Sequence, residues 1–280
     1  PPSSYRQSKS TQAYLREYLL SLKMKDIALE DVTEDFGYGF KQYVKEKGCR
    51  ASHVNHCMTW LNRLLYIAVD KGLLRFNPTV DVPYEKKDAP QLRHISRSQL
   101  MYIMEHPMTN KWQELGRRTF IFSAFTALSY VDVQELYPRH IDRTADGRRY
   151  IRILRKKTGV ESFIPLHPVA EQILDLYNTE DDTKPVFPMP NRDMIWYAIH
   201  EIGVLAGVKG SLSYHQSRHT FGTLMMSAGI PIESISKMMG NTNIRTTQTY
   251  AKVTDDKISE DMDRLMQVRK ANGLTKNTDR

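Results

Sequence analysis

Cysteine is almost missing from this 280-residue chain: Cys49 and Cys57 are the only two. Two thiols in a chain of this length make no disulfide framework, so the fold must rest on its own core, and a reducing, intracellular setting is the simpler reading. Long apolar runs are missing as well. No stretch approaches the roughly 20 apolar residues that cross a bilayer, so no membrane span is expected. The start, Pro1-Pro2-Ser3-Ser4, shows no charged-then-apolar leader and no initiator Met, and it reads as part of something longer. Internal repeats and low-complexity tracts are absent. Acidic residues are scarce between Tyr214 and Tyr250, which argues against a metal-bound or paired-carboxylate centre in that stretch.

Positive charge, by contrast, is in excess. Forty Lys and Arg against thirty-two Asp and Glu give a formal net charge of +8. This suits a polyanionic partner, although many basic proteins bind none, so charge alone shifts the balance only modestly. The length fits one large domain or two ordinary ones.

The first quarter has helical periodicity. Ser10 or Thr11 can cap a segment carrying Tyr14, Leu15, Tyr18 and Leu19, and Thr33 precedes a stripe of Phe36, Phe40, Tyr43 and Val44. The clearest helix runs from Ser52 to Val69, with Val54, Cys57, Met58, Leu61, Leu64, Leu65 and Ala68 on one broad face. Gly72 breaks it and Phe76-Asn77-Pro78 turns the chain, closing a helical domain over 1–82. Residues 83–93, with two prolines and the adjacent Lys86 and Lys87, have linker composition. A second domain is then expected over 94–280.

In that second domain Ser96, Ser98 and Gln99 precede a capped helix, and helices are expected over 111–125 and around 131–136. Arg149–Arg155 and Glu161–Leu166 flank Lys157-Thr158-Gly159 as a β-hairpin, with Pro165 suited to an edge or strand end. Further helices fit 169–177, 191–206, 219–227 and 232–239. A terminal one over 255–269 aligns Ile258, Met262, Leu265 and Val268. The fold class is mainly α with a small antiparallel sheet.

The chemistry concentrates near the end. Tyr214-His215-Gln216-Ser217-Arg218-His219-Thr220 is a basic cluster, followed by the Met239-Gly240-Asn241 turn and by Thr246-Thr247-Gln248-Thr249-Tyr250. Breaking a phosphodiester by protein attack needs an oxygen nucleophile, cations around the nonbridging oxygens and an acid for the departing 5′ oxygen. A phenol retains the bond energy in its phosphate ester, but its pKa near 10 must be offset by cations or a base. Arginine holds two phosphate oxygens with its planar fork. Arg218 lies within one helical turn of His215, so both can face one phosphate from a helix start. Taken singly, each residue has a dull explanation in packing or solvation; the ordered combination is what carries weight.

With these residues in view, the chain resembles the tyrosine recombinases, the phage-integrase type of site-specific recombinase, from about Arg117 to Asp263. The preceding helices resemble, more weakly, that family's SAM-like core-binding domain. The resemblance implies a DNA strand transferase of a mobile element, working without metal or other cofactor through a 3′-phosphotyrosyl intermediate. Tyr250 matches the nucleophile, and His215 and Arg218 match the His-x-x-Arg pair. Lys157 matches the hairpin lysine proposed as general acid, and Asp132 a supporting acidic position. Implied partners are double-stranded DNA, further copies of the chain forming a tetramer in synapsis, and host- or element-encoded accessory proteins. The implied place of action is the nucleoid of a bacterial cytoplasm. A terminal helix docking on a neighbouring protomer, or packing in cis, is left open.

Two positions depart from the family pattern. Ser129 stands where the family usually has its first arginine, in Thr126-Ala127-Leu128-Ser129-Tyr130-Val131-Asp132. A hydroxyl supplies no charge, so a cation must enter from elsewhere. Strand alternation would put Arg155 on the same face as Lys157, making it first choice, with Arg139 second. Ser at this position also occurs in integrases of conjugative and mobilisable elements. Asn241 replaces the usual His or Trp; it keeps an amide donor, or else it is simply a turn residue beside Gly240. Arg63, Lys71 and Arg75 in the first domain, Lys86 and Lys87 in the linker, and Lys209 and Arg245 in the second are the expected DNA-backbone contacts. The competing functions are a catalytically silent, DNA-binding or architectural relative, which Ser129 would suit, and a relaxing topoisomerase.

Overall fold

A computed structural model of the chain describes residues 2–87 and 93–250, with 263, 266 and 267 beyond them. The helix expected over 255–269 and the middle of the linker, 88–92, fall outside the described residues. The chain divides into two units, Pro1–Gln91 and Leu92–Arg280.

The first unit is helical. Its helices are α1 (Pro2–Ser21), α2 (Glu34–Glu46) and α3 (Ala51–Asp70). Thr33 caps α2 as its spacing predicts, its hydroxyl accepting from the Phe36 N–H at 3.2 Å. Ser10 and Thr11 do not cap α1, which starts at Pro2. Thr11 is instead interior, its hydroxyl donating to the Gln7 carbonyl at 3.2 Å, a bond that lets a cap-type residue sit within a helix. Tyr18, Phe36, Phe40, Val44, Val54, Cys57, Met58, Leu61 and Leu65 form the core, while Leu64, assigned to the same face from spacing, is exposed. After Gly72 the turn is locked by a buried polar triad. Asn77 Nδ2 and Thr79 Oγ1 donate to Asn62 Oδ1 at 2.9 and 2.7 Å.

The second unit opens with α4 (Arg97–Glu105), held by a Ser96–Gln99 capping box, and α5 (Lys111–Thr126), capped by Asn110. Helix α6 (Tyr130–Gln134) follows. A three-stranded antiparallel sheet, β1 (Ile141–Arg143), β2 (Arg149–Leu154) and β3 (Glu161–Pro165), has the order β1-β2-β3. Strand β1 escaped the sequence reading because three residues carry no usable alternation. Pro165 closes the edge strand β3, opposite Tyr150, where a missing N–H matters least. Helices α7 (Pro168–Leu174), α8 (Arg192–Leu205), α9 (His215–Ser227), α10 (Ile232–Met239) and α11 (Ile244–Gln248) complete it. Helix α9 begins four residues before the expected 219, which puts the whole basic cluster on helix.

Helix α5 is the central element, packed on α4, α7, α8 and α9. Phe120, Phe122, Leu128, Leu136, Ile151, Ile164, Leu174 and Phe187 build the main core around it. A smaller apolar cluster of Ala127, Phe221, Ile235, Met239 and Tyr250 joins the end of α5 to α9, α10 and the segment after α11. No helix among the described residues is long and apolar enough to cross a membrane.

Candidate active site

Three backbone elements meet at one carbonyl. Helix α5 ends at Thr126, and the next residue, Ala127, takes the left-handed conformation (φ 60°) and so turns its C=O away from the helix axis. Arg218 Nη1 donates to that oxygen at 2.7 Å, and Arg155 Nη1 donates to the same oxygen at 3.2 Å. Arg218 Nη2 also donates to Met239 O and to Asn241 Oδ1, each at 2.7 Å. Both arginines are buried, Arg155 at 6% and Arg218 at 8% exposure.

Their charge balance is uneven. Asp132, 3% exposed, pairs with Arg155 Nη2 at 3.0 Å. Arg218 has no carboxylate partner among the described residues; its acceptors are all neutral oxygens. Burial and then the adjacent Arg155 lower its pKa to about 10, which still leaves it charged at neutral pH. One buried positive charge therefore lacks a counter-ion. A protein tolerates that where an anion is to be bound.

Helix α9 is pinned so that Arg218 points inward. The Tyr214 hydroxyl, buried, donates to Thr119 O at 2.8 Å and stands 2.8 Å from Ser123 Oγ, tying the start of α9 to α5. His215 occupies the first helical position, with its ring set edge-on to His219 at 4.5 Å between centroids. Partial burial, then Arg218, Lys157 and Arg155, push the His215 pKa down. Lys157 is thus near enough to be felt, though it sits exposed at the tip of the β2–β3 turn.

Tyr250 closes the group. Short helix α11, unforeseen in the sequence because five residues show no period, carries the chain back over α9. The phenol ring lies flat over Gly222: a Cβ there would stand 2.8 Å from three of its carbons. Only glycine allows that approach. Tyr250 Oη is 3.0 Å from His219 Nδ1. Burial raises the phenol pKa while Arg218 draws it down, so the hydroxyl keeps its proton at rest.

The expected site residues fall into two groups. Tyr250, Arg218, His215, Arg155, Asp132 and Asn241 are joined by the contacts above, with Lys157 beside them. Arg155 arrives by another route than strand alternation. Strand β2 stops at Leu154, and Arg155 starts the turn, its N–H bonded to Val160 O at 2.9 Å. Its side chain is buried while that of Lys157 is exposed, so the two share no strand face. Gly240, also left-handed (φ 60°), leaves room for the Arg155 stem; a Cβ would come within 2.5 Å of its Cγ.

Ser129 is a helix cap rather than a ligand in waiting. Its hydroxyl and its N–H both bond Asp132 Oδ2 at the start of α6. Asp132 also accepts from the Lys156 N–H at 3.1 Å, so it fixes both the Arg155 fork and the hairpin turn. Asn241 is more than a turn residue: while Oδ1 takes Arg218, Nδ2 donates to Thr247 Oγ1 at 2.9 Å, strapping α11 to the arginine. Arg139 is engaged elsewhere, paired at the surface with Asp182 at 3.2 Å. Arg63, Lys71, Arg75, Lys86, Lys87, Lys209 and Arg245 are all exposed, and none forms an ion pair among the described residues. His219 and Gly222 were assigned no role from sequence, although the i, i+4 spacing of His215 and His219 puts both rings on one face.

The chain is similar to known proteins both in sequence and in fold. The model of the phage integrase family matches residues 95–257, and that of the phage integrase SAM-like domain matches residues 1–85. Tyrosine recombinase XerC of Mannheimia succiniciproducens is 24% identical over 226 residues, covering 77% of this chain and 75% of its own length. Tyrosine recombinase XerD of Staphylococcus aureus is 23% identical over 269 residues, covering 90% and 87%. Among solved structures, the Tn1549 transposon integrase in complex with a circular intermediate DNA superposes with a TM-score of 0.66 at 18% identity, covering 91% of this chain and 93% of that one. A lambda integrase dimer bound to a core site gives 0.69 at 15% identity, covering 91% and 92%. With more than half of its length matched by the family model, and with a buried arginine pair beside a tyrosine, the chain belongs to the phage integrase family.

Proposed function

We propose that the chain is a site-specific tyrosine recombinase that cuts and rejoins double-stranded DNA for the integration or excision of a mobile element. The observation that carries this is the uncompensated buried charge on Arg218, next to a phenol held in place by Gly222 and α11. A phosphodiester brings the missing negative charge, and its nonbridging oxygens suit the two guanidinium forks.

In this reading Tyr250 Oη attacks the phosphorus, the bond to the 5′ oxygen breaks, and Lys157 supplies the proton to that oxygen. The product is a 3′-phosphotyrosyl ester and a free 5′-hydroxyl, and the 5′-hydroxyl of a partner duplex reverses the step on the new strand. Arg218 and Arg155 hold the phosphate, with Arg155 supplying the cation that Ser129 does not. Asp132 orients Arg155, Asn241 orients Arg218, and His215 assists proton transfer at the phosphate edge. Ser129 at the first arginine position aligns the chain with integrases of conjugative or mobilisable elements. Arg63, Lys71, Arg75, Lys86, Lys87, Lys209 and Arg245 contact the DNA backbone. The working form is a tetramer on paired duplexes, joined by accessory proteins, at the bacterial nucleoid.

A nicked duplex that loses its short 5′ fragment on cleavage traps the ester and tests this reading. The wild-type chain should leave a covalent protein–DNA band that Tyr250→Phe does not form, with both binding the duplex alike. Binding with no trapped band from the wild type would defeat it in favour of a silent DNA-binding relative.

A further inference from the structure

His219 is the side chain that touches the reacting oxygen. Its Nδ1 stands 3.0 Å from Tyr250 Oη, and no other side chain among the described residues hydrogen-bonds that hydroxyl. The two rings are 5.7 Å apart between centroids, so the contact runs along the imidazole edge and not through stacking. The His215 ring hydrogen-bonds nothing among the described residues; His219 lies between that ring and the phenol, edge-on to the one and bonded to the other.

The protonation states are complementary. Burial above all, then His215, Arg218 and His94, lower the His219 pKa to about 4. At neutral pH its ring is uncharged, so Nδ1 can offer a lone pair when Nε2 carries the hydrogen. Tyr250, raised by burial, carries its proton. A phenol in that state must lose the proton as its oxygen bonds to phosphorus, and the acceptor has to lie within hydrogen-bond reach.

We infer that His219 is a catalytic residue, the base that takes the phenolic proton of Tyr250 as that oxygen attacks the phosphodiester. The inference rests on Tyr250 being the nucleophile. The step balances: the O–H pair becomes the new O–P bond, the proton passes to His219 Nδ1, and the P–O5′ pair leaves with a proton from Lys157. On reversal His219 returns its proton to the departing phenol. The incoming phosphate adds negative charge beside the imidazole, which favours its protonated form at the moment of transfer.

The test uses the full chain and a nicked duplex carrying the sequence recovered from wild-type covalent adducts on a randomised DNA library. One version has oxygen at the 5′ bridging position of the scissile phosphate, the other sulfur, which leaves without protonation. His219→Gln keeps a hydrogen-bond acceptor for the phenol but no base; His219→Asn and His219→Ala complete the series. With DNA binding retained, all three should form the adduct about 10²–10⁴-fold more slowly on both duplexes. Lys157→Ala, in contrast, should be slow on oxygen and restored on sulfur. A His219→Gln rate within about fivefold of wild type reduces the residue to a positioning contact and overturns the inference, as does restoration of any His219 variant by sulfur. Absence of adduct from the wild type would strike the parent reading instead.

Discussion

Arg155 and Arg218 donate to the same carbonyl oxygen, that of Ala127, at 3.2 and 2.7 Å. They come from separate segments of the domain, one from the β2–β3 hairpin turn and one from the start of α9. Two buried cations this close repel, and the fold offsets that with the single carboxylate of Asp132. The remaining positive charge is what a phosphate would neutralise.

Removing Arg155 should separate chemistry from folding only when its partner is changed too. Arg155→Ala leaves Asp132 buried and unpaired, a loss of about 3–5 kcal/mol. Adding Asp132→Asn should recover most of that stability. Cleavage should stay about 10²–10³-fold below wild type in both the single and the double variant. Denaturant melts and trapped-adduct rates measured side by side decide it; a double variant with wild-type cleavage would remove Arg155 from the mechanism.

Asn241 offers the opposite manipulation. Its Oδ1 already contacts Arg218, so Asn241→Asp places a carboxylate on the unpaired guanidinium. The melting temperature should hold or rise, because a buried charge gains its counter-ion. Cleavage should fall by about 10²-fold, because that counter-ion competes with the phosphate. A variant that is both stable and fully active would mean that the free charge has no part in function.

Gly222→Ala probes the seat of the nucleophile. The added methyl meets three ring carbons of Tyr250 at 2.8 Å, and the ring must move off α9. Displacement of a reacting atom by about 1 Å can cost about 10²-fold in rate. Adduct formation should drop accordingly while duplex binding by gel shift stays unchanged; equal rates would place the reactive pose of Tyr250 elsewhere.

Acid should weaken the fold before the carboxylates titrate. His219 falls from 6.5 to about 4 in the folded chain, and His215 and His140 are shifted the same way. Above pH 6.5 folded and unfolded chains are both neutral at His219, so it adds no pH dependence. Below that value the unfolded chain takes up a proton that the folded one refuses, and stability declines down to about pH 4. Glu114, held down to about 2 by Arg117, Arg118 and the Met108 N–H against burial, begins to lose its stabilisation only below its usual 4.5. Denaturant unfolding between pH 7 and 5 should show the histidine slope, and His219→Gln should flatten it.

Much of this was legible from residue order alone. The His215–Arg218 spacing, Tyr250 at the end of Thr246-Thr247-Gln248-Thr249-Tyr250 and the hairpin around Lys157 carry local periodicity or motif spacing, and the caps at Thr33 and Ser96 follow side-chain chemistry. What stayed hidden depends on three-dimensional closure. Nothing near Ala127 in sequence says that its carbonyl will take two arginines, because both come from other segments. Arg155 could be named as a cation for the Ser129 gap, but the strand argument used to place it fails one residue short, at Leu154. The task of His219 needed the return of α11, a five-residue helix too short to betray itself by pattern.

Digesting the trapped protein–DNA adduct and sequencing the peptide that carries the nucleotide would address the central claim most directly. The account predicts a phosphate ester on Tyr250, within the peptide that follows Arg245. A nucleotide attached to any other side chain would contradict it.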